Sequence, residues 1–461
     1  MSKPSKKILL LICTFSIFIF LFYRRLYHLQ YRIPFSFDQI QFSNQIWHIV
    51  QNRDIVLLGM RVNNDLGFFL APYFTYLLIP FYLLTALHPG ALLIFAILSF
   101  ILTFGLMLFT FTRLWSYQHA LIVLALWSIN YHVQLNDVSP WTPALIPIGS
   151  VLTLLFIKVI FEKPERYFTW ILFGLIQGLF FHIHIQYLLI VGFSLISLFL
   201  IGKEKKLSRK YIGIFLISFI FTFFPLLIFD LRHDFLNAKL FIGFFFTSSS
   251  ASKNYFSLLP VLTNFFHPYL IIKNDILTLV FLALSIPTSW YLYKNSIGYK
   301  KIIYLTSMST IVLTFLFFGY YGKRPSEYYF LFSLPLFLMI ISEITVRFKQ
   351  QVFLAALAMI LLIINFPTYE TNVKINPTSL YFMDRVVDFI EKNQGISGYR
   401  ISYSDDNLAS SFNYLFRQKG FVFSQEAQEK SFVHISSPPD KKLMTKIIGN
   451  YGVYISTDLI R

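Results

Sequence analysis

Residues 34–65 read PFSFDQIQFSNQIWHIVQNRDIVLLGMRVNND, and the reading of this stretch decides the fold. It follows the first hydrophobic run of the chain and carries a lone carboxylate, Asp38, just past a Pro-Phe-Ser-Phe approach. At helical spacing, Ile40, Ile46, Trp47, Ile49 and Val50 make an apolar side, and Asp38, Gln39, Gln41, Gln45 and Gln51 a polar one. A helix of that kind lies in the membrane interface rather than crossing the bilayer. The stretch is expected to be an active-site loop, with one acid held where water meets lipid.

Composition fixes the setting. The chain has 461 residues, of which 56% are hydrophobic, 19% aromatic and only 13% charged, with a mean hydropathy of +0.62. A soluble fold of this length has no interior large enough for so much apolar surface, so the expected class is an all-α polytopic membrane protein. The net charge of +17 sits mostly in short loops between apolar runs. That pattern marks cytoplasmic loops and contact with membrane lipids, and gives no reason to expect nucleic acid as a partner. Cys13, inside the first run, is the sole cysteine, which rules out an internal disulfide and a cysteine-based metal site.

Outward from the opening stretch, a basic start (MSKPSKK) precedes an apolar run over 8–23 that ends in Arg24-Arg25 rather than at small residues. This predicts an uncleaved first span with its N-terminus in the cytoplasm. Further runs cover 67–87, 91–112, 118–132, 141–161, 168–182, 185–201, 211–229, 273–293, 302–318, 329–346 and 351–366. The basic loops at Arg113, 163–166, 203–210, 294–301 and 347–349 share the cytoplasmic side only if one early run fails to cross. The run over 67–87, with Pro72 and Pro80, is the one expected to stay on the outer side and pack against other helices. About eleven crossings result, with 24–90 and 230–272 as outer loops and 1–366 as the transmembrane domain. From 367 to 461 the chain turns polar. Bursts such as YRISY, FVFS, FVHIS and GVYIS alternate with helix-like stretches near 379–393, 407–419 and 439–448. A small extracytoplasmic α/β domain is expected there. No internal repeat is visible.

In this topology the polar groups near the membrane collect on the outer side: Asp38, Asn136-Asp137, His182 and His184, Asp230 with Arg232, and Lys323, Arg324 and Glu327. An ionisable group deep in a bilayer costs ~3 kcal/mol, so a one-sided collection calls for a functional explanation. Each has a blander one. Asp38 begins an amphipathic run and suits a helix N-cap. Asp137 suits a cap or a solvated turn. His182 and His184 stand two apart, which on a helix points them to different sides. Two histidines without further ligands are more often hydrogen-bonded than metal-bound. Asp230 and Arg232 suit a mutual pair, and Lys323-Arg324 an exposed turn or a lipid-headgroup contact. The Phe and Tyr surplus is expected to face lipid or the interface.

With Pro34–Asp38 leading into an interfacial helix and then a Pro-interrupted apolar run, the chain resembles the GT-C glycosyltransferases, nearest to the protein O-mannosyltransferase and lipid A aminoarabinose transferase branch. That branch carries an acidic residue in its first outer loop, usually Asp-Glu, where this chain has Asp38-Gln39. The resemblance covers the first seven spans and is one of layout. It implies transfer of a sugar from a polyprenyl-phosphate carrier to a protein, lipid or glycan acceptor on the outer face of the cytoplasmic membrane. Asp38 and Asp137 are then the candidate catalytic carboxylates, with Asp38 the general base of an inverting displacement. Phosphate leaves without a general acid but needs positive charge, from Arg, Lys or a divalent metal, and no cofactor is otherwise implied. Arg61, Arg232, Lys323 and Arg324 are candidates, the resemblance favouring Lys323-Arg324; Gln39, His182, His184 and Glu327 complete the expected substrate-binding set. Two other readings stand beside it: an oligosaccharide ligase or polymerase with a diphosphate-linked carrier, and a flippase. The flippase lacks its usual paired repeats and midplane charges.

Overall fold

Within the described residues each apolar run folds as helix, since in lipid only internal hydrogen bonds can satisfy the backbone. The structure, a computed structural model, describes residues 3–62, 67–137, 139–247, 286–321, 326–347, 376–394, 397–423, 431–439 and 446–456. The expected run 351–366, the boundary at 366, Lys323-Arg324, the outer loop 230–272 from 248 on and the run 273–293 up to 285 lie outside them. The first span is α1 (Lys3–Leu26) and the opening stretch forms α2 (Phe37–Asn52). The run 67–87 yields only α3 (Tyr73–Leu84), whose 12 residues reach ~18 Å against a hydrocarbon core of ~30 Å. Long apolar helices follow: α4 (Ala91–Leu114), a 3-10 turn continuing into α7 (Ile146–Glu162), α9 (Leu188–Glu204) and α13 (Gly298–Tyr321). α8 (Tyr167–Ile183) and α14 (Leu334–Arg347) are shorter. Lipid-ready side chains stud their outer faces, Phe168 at 68% and Phe199 at 65% exposure among them.

Two expected crossings are broken. The run 118–132 ends as α5 (Tyr117–Ile129), because Asn130 turns extended and its Oδ1 accepts from Val133 N–H at 3.1 Å to start the short α6 (Tyr131–Asp137). The run 211–229 splits into α10 (Arg209–Phe221) and α11 (Phe224–Arg232), bent by 55°. Pro225 has no N–H for the preceding turn. At the break Tyr73 Oη donates to Thr222 O at 2.7 Å, so α3 closes the carbonyl that the bend opens. The outer loop expected from 230 begins instead with α12 (Leu236–Thr247).

Helix contacts rest on small residues and satisfied polar groups. Gly174 and Gly178, four apart on α8, face α10; a Cβ would come within 2.3 Å of Phe215 O and 2.2 Å of Thr222 Oγ1 respectively. Beside them, Gln177 Nε2 donates to Thr153 Oγ1 (2.8 Å) and Tyr187 Oη (3.1 Å) and its Oε1 accepts from Ser194 (2.9 Å). The aromatic surplus, expected on the lipid face, fills the interior as well: Phe35, Phe42, Phe111, Phe173 and Tyr187 are fully buried.

The basic loops meet at one end of the bundle. Lys158 Nζ donates to Arg113 O (2.6 Å), Tyr299 Oη to Leu114 O (2.6 Å) and Lys210 Nζ to Tyr167 Oη (2.7 Å). Lys205 lies 4.0 Å over the Phe161 ring and Arg347 5.8 Å over Tyr291. A chain with a buried middle, Ser116 to His119 (2.7 Å) to Glu343 (3.0 Å) to Arg347 (3.3 Å), ties α5 to α14 at this end.

At the other end sits the C-terminal α/β domain. Its helices are α15 (Leu380–Gln394) and α16 (Asp406–Gln418), packed on a five-stranded sheet. Strands β1 (Ser397–Tyr403), β2 (Val422–Phe423), β3 (Ser431–Ser436), β4 (Lys446–Ile448) and β5 (Tyr451–Ser456) run in the order β2-β1-β3-β5-β4. β1 pairs in parallel with β2 and β3, and β5 is antiparallel to β3 and β4. The helix-like stretch expected near 439–448 ends in strand β4, because Gly449, at φ +61°, turns the chain straight back into β5.

Candidate active site

Asp38 is the second residue of α2, on the C-terminal domain's end of the bundle. Ser36 caps the helix, and Gln39 at the third position reaches back so that its Oε1 accepts from Ser36 N–H at 3.4 Å, a capping box. Gln39, expected to touch substrate, is only 6% exposed and turned to this backbone task. Below the cap, Ser43 and Tyr82 hydroxyls meet at 2.6 Å, and Gln45 accepts from Thr75 (2.7 Å), pinning α2 to α3. Phe42 is buried too, because α3 and α16 cover α2 from different directions. Asp38 itself is half-buried and makes no hydrogen bond or ion pair to any described residue, and burial pushes its carboxyl above the ordinary 3.8.

The segment after α2 returns as a narrow hairpin: Gly59 N–H donates to Leu70 O (2.7 Å) and Val62 N–H to Phe68 O (2.8 Å). Arg61 braces it, its Nε–H donating to Gly67 O at 2.8 Å and its guanidinium over the Phe69 ring at 5.4 Å. His182 supports the base: its Nδ1 accepts from Ala71 N–H at 3.2 Å, and the ring packs against Phe223. Asn237 holds the far side, exchanging two hydrogen bonds with the Phe69 backbone (2.7 and 3.1 Å), while Asp230 caps α12 by accepting from Asn237 N–H at 2.7 Å. The pair expected between Asp230 and Arg232 is replaced by that cap, and Arg232 is exposed.

Asp137 lies elsewhere, at the end of α6, only 6% exposed. Its Oδ2 accepts from Arg25 Nε–H (2.8 Å) and Trp127 Nε1–H (3.1 Å), with Arg25 Nη2 at 2.6 Å. Arg25, 1% exposed, also stacks over Phe100 at 4.9 Å. It is a buried ion that sequence reasoning missed, although an arginine pair closing the first apolar run was the available signal.

His184 and Gln186 form the turn between α8 and α9. His184 Nδ1 accepts from Gln186 N–H (3.3 Å), and burial holds the ring neutral, its pKa brought down to about 4. With its amide turned to suit, Gln186 donates to the Tyr328 and Tyr329 carbonyls (2.9 and 3.1 Å). Those tyrosines belong to the 3-10 turn Glu327–Phe330, which Trp141 meets through Tyr328 (4.7 Å). The structure thus brings the His184 turn and the Glu327 turn together, and Arg61 with His182 around the 59–71 hairpin. Among the described residues no three His, Cys, Asp or Glu side chains gather as a metal site.

No family model matches the sequence, and no curated protein does. Solved structures do. ArnT from Cupriavidus metallidurans in the apo state aligns with TM-score 0.58 and 12% identity over 98% of both chains. The same protein bound to undecaprenyl phosphate aligns with TM-score 0.56 and 11% identity, again over 98% of each. From the first span through the terminal sheet, the chain has the fold of ArnT.

Proposed function

We propose that this chain is a membrane glycosyltransferase that moves a sugar from a polyprenyl-phosphate carrier to an acceptor hydroxyl, with Asp38 as general base. The observation that carries the reading is the state of Asp38: a half-buried carboxylate, unpaired among the described residues, on a helix fixed on both flanks. Two other candidates of the same stretch are occupied by structure, Gln39 by the cap and Arg61 by the hairpin. Burial without a partner strengthens Asp38 as a base. As the acceptor oxygen bonds to the anomeric carbon from the opposite face, its proton passes to Asp38 and the bond to the carrier phosphate breaks, inverting the centre. A phosphate anion leaves unaided by acid but requires nearby positive charge; Lys323-Arg324 remains the proposed source, and Asp137, engaged by Arg25, takes no proton.

The ArnT fold and the undecaprenyl phosphate bound in one ArnT structure support a lipid-phosphate donor. The clustered basic loops support a cytoplasmic placing of that end and, with it, an outer placing of Asp38 and the C-terminal domain. The test is Asp38→Asn in membranes supplied with a panel of undecaprenyl-phosphate sugars, scored by release of undecaprenyl phosphate. The variant should lose ~10²–10⁴-fold in turnover while binding undecaprenyl phosphate as before. Full turnover by the variant, or translocation without release by the wild type, refutes the proposal; turnover of diphosphate-linked carriers alone favours the ligase.

A further inference from the structure

The run into Asp38 is held from outside the membrane domain. Tyr31 closes a 3-10 turn, Arg32 is its helical cap and 33–35 run on without regular structure, and three carbonyls of this run accept from the C-terminal domain. Asn376 N–H donates to Tyr31 O (2.9 Å), Leu380 N–H to Ile33 O (3.0 Å) and Ser411 Oγ to Phe35 O (3.2 Å). Three residues further on is Asp38. On its other side Arg417 of α16 donates through Nη2 to Asn44 Oδ1 at 2.6 Å and lies 4.6 Å over the Trp47 ring. Tyr414 Oη donates to Leu87 O (2.7 Å), and His88 meets Asp384 (3.1 Å), so the same domain also grips the loop after α3. The first turn of α2 therefore hangs between two attachments to one domain, before and after the acid.

We propose that the C-terminal domain positions the acid of the transfer reaction, with Arg417 as the positioning residue that fixes α2 through Asn44 and Trp47. The domain brings no reacting group. Its contribution is to hold the start of a membrane-surface helix, whose backbone would otherwise fray, in the one place that serves the acceptor. This rests on the reading of Asp38 as base, but its physical part does not.

Hydrogen exchange on the full-length protein in nanodiscs, without donor, reads that part. In Arg417→Ala the amides of 39–47 should exchange about tenfold faster, as expected from loss of one charge-assisted hydrogen bond. Arg417→Lys, keeping charge but not the planar fork, should recover part of the protection. Asn44→Ala should act like Arg417→Ala, and the double variant no worse than either. Lys419→Ala, which deprives Asp388 and Glu391 of their lysine partner within the domain, should loosen α15 and leave 39–47 unchanged. In the release assay Arg417→Ala should lower kcat about tenfold with KM for the undecaprenyl-phosphate sugar unchanged, and Lys419→Ala should leave both kcat and KM unchanged. Unchanged exchange at 39–47 in both Arg417→Ala and Asn44→Ala overturns the proposal, as does an equal effect of Lys419→Ala. Faster exchange in a chain whose Asp38→Asn variant still turns over keeps the clamp and removes the base.

Discussion

The buried pair of Arg25 and Asp137 gives a prediction with a magnitude. Arg25→Met leaves Asp137, 6% exposed, with the Trp127 N–H as its one remaining donor among the described residues; Asp137→Leu leaves a guanidinium 1% exposed against Phe100. Either single change strands a charge that cannot reach water, a loss of ~3–5 kcal/mol. Replacing both removes both desolvation costs and leaves the Trp127 N–H without its acceptor, so the double variant should lose only ~1–3 kcal/mol. The singles would sum to ~6–10 kcal/mol, so the cycle should show strong coupling. Unfolding by SDS in mixed micelles, followed by tryptophan fluorescence, measures all four proteins. Singles that each cost under ~1 kcal/mol, or a double equal to their sum, refute the reasoning. The same proteins decide the role of Asp137. If it is only a strut, the folded double variant keeps release of undecaprenyl phosphate within a small factor. A folded double variant ~10²-fold slower returns Asp137 to the catalytic set.

Other outcomes follow from single sites. The Asp38 carboxyl is raised above 3.8 by burial, so folding favours its protonated form. Asp38→Asn should therefore raise the thermal midpoint at neutral pH and lose that advantage at about pH 3, where both folded and unfolded chains carry the proton; wild-type release should fall away on acidification above the ordinary carboxylate value. Gly178→Leu drives a side chain into Thr222, whose Oγ1 already lies 2.2 Å from an ideal Cβ, and should cost at least ~1–3 kcal/mol in the same SDS assay. Reporter tags at Ser208 and Gly298 should score cytoplasmic and one after Arg461 external; Ser208 and Arg461 on one side would overturn the topology.

Much of this architecture was legible because lipid imposes simple rules. Most of the described apolar runs became helices near their expected bounds, and YRISY, FVHIS and GVYIS became β1, β3 and β5. What failed was local. Asn130 and Pro225 break runs that hydropathy reads as continuous, since an average over a window does not see one cap or one missing N–H. The Gly174–Gly178 pair is a readable small-residue motif that passed as ordinary apolar sequence. Site residues were harder, because type and membrane depth say nothing of partners. Arg61 and His182 both turn to backbone of one hairpin, although 121 positions separate them in the chain. Nor does any pattern announce that Ser411 and Arg417 will meet residues 35 and 44.

The cap on α2 bears on the one place where this chain departs from the Asp-Glu that its resemblance suggests. The third position of a capping box accepts Glu or Gln alike, since either oxygen can take the Ser36 N–H. Gln39 is 6% exposed, so a glutamate there would bury a second negative charge next to an acid already raised by burial. Neutral Gln39 keeps the cap and spares Asp38 that repulsion, which suits a reaction needing one base and no acid. Gln39→Glu should accordingly fold, keep α2 capped, and move the acid limb of the release profile to higher pH, because like charges disfavour ionisation of both. A limb that stays in place while the variant folds would mean that position 39 is electrostatically remote from the base, and that its amide serves the helix alone.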